Sequence, residues 1–242
     1  MASGGYYDPG ARRADKVQAL FGRIAARYDL LNDLQSFGMH RGWKRRVARL
    51  ARPVQGDRAV DVCCGTGDIA FAVAASGADV VGIDFNEKML GEAARRSARA
   101  PMPPGTKLPR FLAGDAQELP FGNDSFEIVT MGYGLRNLAK WERGVEEMAR
   151  VARPGGRIVV LEFGKPSNSL WRSIYFGYLK VFVPLLGRIA CGDARAYGYI
   201  LESLRDYPGQ RAVAEKMRQT GLRETRVFDL FGGAMAINYA EK

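Results

Sequence analysis

One short segment constrains the fold of this chain more than any other part of it. An apolar run ends in a glycine turn, Ala59-Val60-Asp61-Val62-Cys63-Cys64-Gly65-Thr66-Gly67-Asp68. Small and β-branched residues before the turn are typical of a strand that is buried on both faces. Gly65 and Gly67 allow the backbone to pass close to a ligand at the amino end of the next helix. The segment therefore predicts a parallel α/β sheet with a ligand site where this strand ends.

Carboxylates accompany three successive predicted strands. Asp61 lies in the first strand, Asp84 ends the second, and Asp115 follows a short third strand over residues 110–113. Asp84 is placed to bind both hydroxyls of a ribose, while Asp115 and Ala116 offer polar groups to an adenine edge. Phe85 and Met89 are expected to flank the adenine. The pattern predicts a nucleotide-like ligand.

The glycine turn is also compatible with a dinucleotide. Residues 65–70 fit the pattern G-x-G-x-x-G/A, which on its own is a weak signal. Asp61 would repel a pyrophosphate but would attract the ammonium of a methionine moiety. The three carboxylates therefore favour S-adenosylmethionine, whose sulfonium and ammonium are both cationic. Thr66 and the backbone of residues 65–67 are expected to line the carboxylate and ribose of this ligand.

The rest of the chain alternates predicted strands and helices, which is typical of parallel strands joined by right-handed crossovers. We expect a flexible tail over residues 1–14 and a single domain over residues 15–242. Within that domain we expect a helical cap over residues 15–55, with a polar link over residues 32–38, and a lid inserted over residues 166–215. Two strands in a hairpin, over residues 222–230 and 234–240, are predicted to close the chain. Pro184 is expected to interrupt any single helix in the apolar stretch 170–191.

Charge and cysteine content indicate the cellular compartment and the surfaces that the protein contacts. The formal net charge is +10, and residues 1–60 hold 12 Lys or Arg against 5 Asp or Glu. This basic block, together with residues 170–191, predicts peripheral contact with an anionic membrane surface, and its alternative is a solvated helix face. Three cysteines and one histidine form neither a disulfide framework nor a metal-ligand spacing. No apolar run is long enough to span a bilayer, and the composition favours the reducing cytosol.

Several motifs occur in the order known from one family. They are Arg27-Tyr28-Asp29-Leu30-Leu31-Asn32-Asp33-Leu34-Gln35-Ser36-Phe37-Gly38-Met39-His40-Arg41-Gly42-Trp43-Lys44, Tyr133-Gly134-Leu135-Arg136-Asn137, Arg150-Val151-Ala152-Arg153-Pro154-Gly155-Gly156, Leu161-Glu162-Phe163 and Tyr199-Ile200-Leu201-Glu202-Ser203-Leu204. Together they resemble the quinone-biosynthesis C-methyltransferases, which methylate demethylmenaquinol and 2-polyprenyl-6-methoxy-benzoquinol. The first motif and Gly-Leu-Arg-Asn are specific to that family, whereas the glycine turn is shared by most S-adenosylmethionine methyltransferases.

The resemblance implies a fold, a reaction and a set of residues. The fold is that of a class I methyltransferase, with a Rossmann-like, seven-stranded, mostly parallel sheet. The reaction is methyl transfer from S-adenosylmethionine to a ring carbon of a prenylated quinol, with demethylmenaquinol as the expected acceptor. Arg136 and Asn137 are candidates for binding or activating the quinol oxygen, and Tyr28 and His40 are second candidates. Gly132 replaces a serine that many members place near the cofactor, so any contact there must come from the main chain.

Two other functions compete with this one. The high basic charge is compatible with an RNA methyltransferase, but Gly-Leu-Arg-Asn is not the Asn/Asp-Pro-Pro-Tyr/Phe type of motif that stacks a flipped base. A scaffold without turnover is disfavoured by the intact glycines and carboxylates. We therefore expect no nucleic-acid partner, and leave open the head group, the tail length and the choice between monomer and homodimer.

Overall fold

The structure of the protein, a computed structural model, describes residues 13–24, 28–191 and 195–242. Residues 1–12 of the expected tail lie outside the described residues, and residues 13 and 14 belong to the first helix. The strands are β1 (Arg58–Val62), β2 (Asp79–Asp84), β3 (Arg110–Ala113), β4 (Phe126–Gly132), β5 (Ala152–Phe163), β6 (Arg223–Leu230) and β7 (Met235–Glu241). The helices are α1 (Arg13–Ile24), α2 (Tyr28–Ser36), α3 (Met39–Ala51), α4 (Asp68–Ala74), α5 (Glu87–Ser97), α6 (Trp141–Val151), α7 (Ser169–Cys191), α8 (Arg195–Asp206) and α9 (Gln210–Gln219).

All seven strands form one sheet in the order β3-β2-β1-β4-β5-β7-β6. The first five strands run parallel to one another, and β7 pairs antiparallel with both β5 and β6. The predicted class I methyltransferase sheet and its antiparallel C-terminal hairpin are therefore confirmed. Strand order reverses between β1 and β4, and in open α/β sheets this switch point is where ligands bind.

Apolar strands explain why the centre of the sheet is buried on both faces. Val60, Val129 and Val160 on neighbouring strands are fully buried, as the near-continuous apolar runs predict. Helices cover the two faces, and α1, α2 and α3 form the expected helical cap. Helix α1 packs against α5, whereas α3 packs against α4 and β5. The cap thus stands next to the carboxyl end of the sheet.

Two sequence-based expectations are wrong. The expected link over residues 32–38 is mostly helix, because α2 continues to Ser36 and only Phe37 and Gly38 separate it from α3. Some of its polar side chains form hydrogen bonds inside the helix, where Gln35 Nε2 donates to Asn32 Oδ1 at 2.7 Å and Ser36 Oγ donates to the Asn32 carbonyl at 2.5 Å, whereas Asn32 Nδ2 is buried without a partner among the described residues.

Pro184 does not interrupt α7, which runs through it for 23 residues. A proline removes one hydrogen bond and obstructs the carbonyl four residues earlier. That carbonyl belongs to Lys180, an exposed residue on the outer side of the helix, where water can serve as its partner. The buried side chains Tyr175, Leu179 and Val183 hold the same helix against the core.

Residues 166–215, where a lid is expected, contain α7 and α8, which pack on each other, and α7 also contacts α2; their action as a lid stays a prediction. Helix α9, at the end of this range, instead packs against α6, β6 and β7 as part of the layer that covers the sheet. Within the part of the chain that the structure describes, no helix is long and apolar enough to cross a membrane.

Candidate functional site

A cavity of about 810 Å³, here called the strand-end cavity, opens where the parallel strands end. Six of the ten residues predicted to hold the cofactor line it, namely Gly65, Asp84, Phe85, Met89, Asp115 and Gly132. The turn after β1, the ends of β2 and β4, the segment after β3 and the start of α5 bring these residues together. The predicted ligand position at the carboxyl edge of the sheet therefore coincides with a cavity.

Asp84 is the best-defined polar group in this cavity. Its Oδ2 accepts a hydrogen bond from the Gly65 amide at 2.9 Å, and its Oδ1 accepts one from the Asn86 amide at 2.9 Å. Burial raises the pKa of this carboxyl, and the amide hydrogen bonds oppose that rise. These two bonds fix the orientation of the carboxylate and leave acceptor sites for hydroxyl donors such as those of a ribose.

The glycine turn is held rigidly from outside the cavity. Gly67 has φ 88°, and a Cβ there would come within 2.9 Å of the Phe111 ring, so only glycine fits. Asp68, the first residue of α4, is bound at 2.5 Å by both Lys44 Nζ and Arg96 Nη2. Arg96 Nη1 also donates to the Thr66 carbonyl at 2.9 Å. The two cations therefore clamp the turn from the cap and from α5.

Asp61 lies behind the turn and is not among the residues that line the strand-end cavity. Its Oδ2 accepts from the Ala70 amide at 3.1 Å, and its Oδ1 accepts from Thr130 Oγ1 at 2.8 Å. Burial raises the pKa of Asp61 to about 7. The carboxyl ties β1 to α4 and β4, and its action on a methionine ammonium stays a prediction.

Of four further residues predicted to bind the cofactor, one lines the strand-end cavity and three do not. Asp115 is exposed at the cavity, and its Oδ1 accepts from the Gln117 amide at 2.8 Å, which leaves Oδ2 for a ligand amine. Thr66, Gly67 and Ala116 do not line the cavity, and Thr66 and Ala116 are almost fully buried. Their contact with a cofactor stays a prediction.

A second cavity, of about 900 Å³, lies between the cap and the lid and is here called the aromatic cavity. Its walls come from α2, α3, α7 and the start of β7, and most of its lining side chains are apolar. The aromatic residues among them are Phe37, Trp43, Tyr133, Phe163, Trp171, Tyr175, Tyr178 and Phe231. Among the residues described, Tyr133 alone lines both cavities. The two cavities are therefore neighbours, separated by the segment that follows β4.

His40 brings a polar group to the aromatic cavity. Its Nδ1 lies 3.0 Å from Ser36 Oγ, whose own proton is donated to the Asn32 carbonyl. Because a hydroxyl has a single proton, Nδ1 must be the donor to Ser36, which leaves Nε2 as an acceptor. Burial and the nearby Lys44 ammonium lower the pKa of His40 to about 4, so the ring is neutral at pH 7.

Arg136 does not line either cavity. It is 3% exposed and forms an ion pair with Glu162, with Nη1 2.7 Å from Oε1. Nη1 also donates to the Tyr133 carbonyl at 2.9 Å, and Nη2 donates to the Tyr199 hydroxyl at 2.9 Å. The guanidinium thus joins the ends of β4 and β5 to α8, and its contact with the quinol oxygen stays a prediction.

The other two residues predicted to contact the quinol are Asn137 and Tyr28. Asn137 lines the strand-end cavity rather than the aromatic cavity, and its Nδ2 donates to the Tyr133 carbonyl at 3.1 Å. Tyr28 begins α2, but its side chain lies outside the described part of the chain. A role for either residue in the reaction stays a prediction.

Sequence reasoning missed several residues of the two cavities. Val17 and Phe21 on α1 line the strand-end cavity, although their helical spacing indicates only core packing. Phe231 joins the aromatic cavity from the turn before β7. Such residues are far apart in the chain, and no local pattern connects them. The signals available in the sequence were the aromatic-rich stretch 170–191 and Trp43 in the motif over residues 27–44, both of which contribute side chains to the aromatic cavity.

The residues of the strand-end cavity fit S-adenosylmethionine. A carboxylate held by main-chain amides suits a ribose, and the apolar side chains of Phe85 and Met89 suit an adenine. Gly132 and Gly134 present main chain to the same space. The donor set is therefore appropriate for a nucleoside with a cationic substituent.

Comparisons with known proteins agree with this geometry. Residues 11–242 match the ubiE/COQ5 methyltransferase family. The chain is 39% identical over 231 residues to the demethylmenaquinone methyltransferase of Desulfitobacterium hafniense, covering 94% of this chain and 90% of that protein. It is 37% identical over 234 residues to the ubiquinone/menaquinone biosynthesis C-methyltransferase UbiE of Azotobacter vinelandii, covering 95% of this chain and 91% of that protein.

A solved structure shares the fold at lower identity. The magnesium protoporphyrin IX methyltransferase of Synechocystis, solved with bound SAH, is 18% identical, with a TM-score of 0.66 over 95% of this chain and 99% of that one. This likeness supports the class I methyltransferase architecture. From the match over nearly its whole length and its similarity to these relatives, the chain belongs to the ubiE/COQ5 methyltransferase family.

Proposed function

We propose that this chain transfers a methyl group from S-adenosylmethionine to a ring carbon of a prenylated quinol, with demethylmenaquinol as the acceptor. The observation that carries the proposal is the pairing of the strand-end cavity with an apolar aromatic cavity across one residue, Tyr133. Family membership makes the chain a S-adenosylmethionine-dependent methyltransferase. The relatives named as demethylmenaquinone methyltransferases in Desulfitobacterium hafniense and Beutenbergia cavernae, 39% and 40% identical, favour the naphthoquinol head group.

The reaction needs no covalent intermediate with the protein. S-adenosylmethionine, when bound, supplies an activated methyl group on a sulfonium; in the net reaction the carbon–sulfur bond breaks, a carbon–carbon bond forms, and the ring carbon loses its proton. The chain's own residues must align the partners and exclude water, because charge is neutralised as the methyl moves. The largely apolar walls of the aromatic cavity suit both tasks.

His40 is the residue that we propose for contact with the quinol hydroxyl. Its neutral ring lines the aromatic cavity, and the Ser36 hydrogen bond makes Nε2 an acceptor. A hydrogen bond from the hydroxyl to Nε2 would increase electron density on the oxygen and on the ring. Arg136, in contrast, is held by Glu162 and Tyr199 inside the core.

The walls of the aromatic cavity favour a quinol over RNA. The lining contains many aromatic rings and no lysine or arginine among the described residues, whereas nucleic-acid grooves are basic. Its largely apolar walls suit a flat bicyclic ring and part of an isoprenoid chain.

The decisive assay uses purified protein, labelled S-adenosylmethionine and two acceptors kept reduced by dithionite, demethylmenaquinol and the 2-polyprenyl-6-methoxy-benzoquinol. We expect label in the naphthoquinol product. Label only in the benzoquinol would reassign the head group. If neither acceptor gains label while S-adenosylmethionine still binds, the proposed acceptor class is overturned.

We also propose that the mouth of the aromatic cavity rests on an anionic bilayer. Most of the exposed large apolar side chains in the described part of the chain lie on the segments that wall this cavity, namely Leu34, Phe37, Leu170, Ile174, Val181, Phe182, Leu185 and Phe231. Three of them, Phe37, Ile174 and Phe231, also line the cavity. Exposed basic side chains, Arg172 and Lys180, accompany them on α7, and the chain has a net charge of +10. A prenyl tail leaving the cavity would thus enter lipid rather than water.

A matched pair of substitutions tests the bilayer contact. Val181 on α7 is 67% exposed, and Val54, in the loop before β1, is 59% exposed. In flotation with vesicles containing anionic lipid at low salt, Val181→Glu is expected to weaken binding several-fold, and Val54→Glu to leave it unchanged. Equal binding by both variants would refute this surface. A concentration-dependent dimer lost only in Val181→Glu would instead assign the surface to a second copy of the chain.

A further inference from the structure

Tyr133 has an unusual backbone. Its φ is 61°, in the left-handed region that residues other than glycine seldom adopt and that costs about 1 kcal/mol. Its neighbour Gly134 allows no side chain, because a Cβ there would lie 2.5 Å from the Cβ of Cys63. The main chain at the end of β4 is therefore pressed against the turn that follows β1.

Several hydrogen bonds hold this conformation. The Tyr133 amide donates to the Leu161 carbonyl at 2.8 Å. The Tyr133 carbonyl accepts from Arg136 Nη1 at 2.9 Å and from Asn137 Nδ2 at 3.1 Å. Both polar side chains of the Gly-Leu-Arg-Asn motif thus act on a single carbonyl. A strained conformation that its surroundings fix so completely is typical of functional sites.

The ring of Tyr133 lies on the acceptor side of this segment. It contacts the Phe163 ring at a centroid distance of 5.7 Å, and Phe163 lines the aromatic cavity but not the strand-end cavity. The adjoining glycines 132 and 134 line only the strand-end cavity. Tyr133 thus lines both cavities, its ring packs beside Phe163 of the aromatic cavity, and Lys44 Nζ lies 5.8 Å from the ring centroid.

We propose that the Tyr133 ring is the surface against which the quinol ring packs, so that Tyr133 fixes the position of the acceptor carbon relative to the donor methyl. The inference rests on the proposed function and adds a binding residue to it. The methyl must cross between the two cavities, and Tyr133 is the residue where they meet. An aromatic face is the natural partner of a flat quinol ring. The role belongs to the ring rather than to the hydroxyl.

The test compares Tyr133→Leu with Tyr133→Phe. Leucine keeps apolar volume and the same backbone cost but lacks an aromatic face, whereas phenylalanine keeps the face. Donor affinity is measured by calorimetry with S-adenosylmethionine. Acceptor affinity is measured with an oxidised, short-chain prenyl naphthoquinone, which cannot be methylated and quenches the fluorescence of Trp43 and Trp171 in the cavity wall.

For Tyr133→Leu we expect naphthoquinone affinity to fall about fivefold to tenfold, which is the size of one aromatic pair. We expect kcat/KM to fall about 100-fold, because a small misplacement of the ring is costly, and the Kd for S-adenosylmethionine to change less than threefold. Tyr133→Phe should recover both naphthoquinone affinity and most of the turnover.

Two results would overturn the inference: naphthoquinone affinity and turnover unchanged in Tyr133→Leu, or donor affinity reduced as much as acceptor affinity. If Tyr133→Leu does not fold, Tyr133→Asn carries the same expectations, because asparagine tolerates a positive φ. A wild-type protein that neither binds the naphthoquinone nor transfers a methyl group would instead contradict the proposed function.

Discussion

Replacing Arg136 by alanine is expected to destabilise the folded chain by about 3 kcal/mol. The Arg136 and Glu162 side chains are each 2% exposed, and their closest charged atoms are 2.7 Å apart. Removing the guanidinium leaves the Glu162 carboxylate buried without a counter-charge. It also removes the hydrogen bonds to the Tyr133 carbonyl and the Tyr199 hydroxyl.

The magnitude follows from what remains around Glu162. Breaking a buried pair by deleting one partner costs about 3 to 5 kcal/mol. The Arg136 amide, at 3.1 Å, and the Phe163 amide, at 2.8 Å, still donate to the carboxylate in the variant. These two donors place the expected loss at the lower end of the range. For a chain of this length, the loss corresponds to a fall in Tm of roughly 6 to 12 °C.

Equilibrium unfolding in urea with linear extrapolation measures the effect, and thermal unfolding provides a second estimate. Arg218→Ala is the matched control, because Arg218 pairs with Glu215 at the surface and is 53% exposed. That variant should lose less than about 1 kcal/mol. Adding Glu162→Gln to Arg136→Ala should recover part of the loss, because the second change removes the unpaired charge.

The reasoning is refuted if Arg136→Ala unfolds within about 1 kcal/mol of the wild type. If such a stable variant also lost turnover while still binding S-adenosylmethionine, Arg136 would have a part in the reaction, either on the acceptor itself or through the Tyr133 carbonyl that it holds. A large loss of stability that Glu162→Gln does not relieve would place the cost outside the ion pair.

Three further expectations concern carboxyl and imidazole groups. Asp84→Asn should weaken S-adenosylmethionine binding about tenfold to 100-fold in calorimetry. The amide side chain cannot accept hydrogen bonds from both the Gly65 and the Asn86 amides, and it lacks the charge that strengthens a hydrogen bond from a ribose hydroxyl. An unchanged Kd would contradict the ribose assignment. His40 has a folded-state pKa of about 4 against an ordinary 6.5, so the unfolded chain binds the proton first and stability falls as pH drops through that window. Wild type should lose about 2.5 kcal/mol more than His40→Gln between pH 7.5 and pH 4.5 in urea unfolding, and parallel losses would contradict the buried neutral ring. Asp61 has a pKa raised to about 7, so the folded chain holds its proton longer and stability falls as pH rises from about 4 to 7. Relative to Asp61→Asn, wild type should lose up to about 4 kcal/mol between pH 4 and pH 8, and a smaller loss with bound S-adenosylmethionine would support an ammonium near Asp61.

Local sequence patterns were sufficient for the sheet and for the position of the strand-end cavity. The apolar run before Gly65 and the strand ending at Asp84 each report their own secondary structure, and parallel strands bring their carboxyl ends to one edge. Asp61 shows where such reasoning ends. Its position in the strand is correct, but only the register of β1 with β4 places Thr130 beside it and turns the carboxyl away from the cavity.

The helices of the cap and lid were harder to predict. Polar residues such as Asn32 favour turns on average, yet in α2 the oxygens of Asn32 accept hydrogen bonds from Gln35 and Ser36, three and four residues away. Pro184 is a strong breaker in isolation, yet the contacts of Tyr175, Leu179 and Val183 with the core outweigh one lost hydrogen bond. In both cases packing and local hydrogen bonding override an average preference.

The sequence by itself determined the sheet, the glycine turn, the placing of Asp84 at a strand end and, through its motifs, the family. Only the tertiary structure decided which side chains face a cavity and which support it. Arg136 and Glu162 are 26 positions apart, and Arg136 and Tyr199 are 63 apart, so no periodicity or spacing links them. Their pairing follows from the adjacency of β4 and β5 and from the packing of α8, which is set by the burial of the whole core rather than by any local segment.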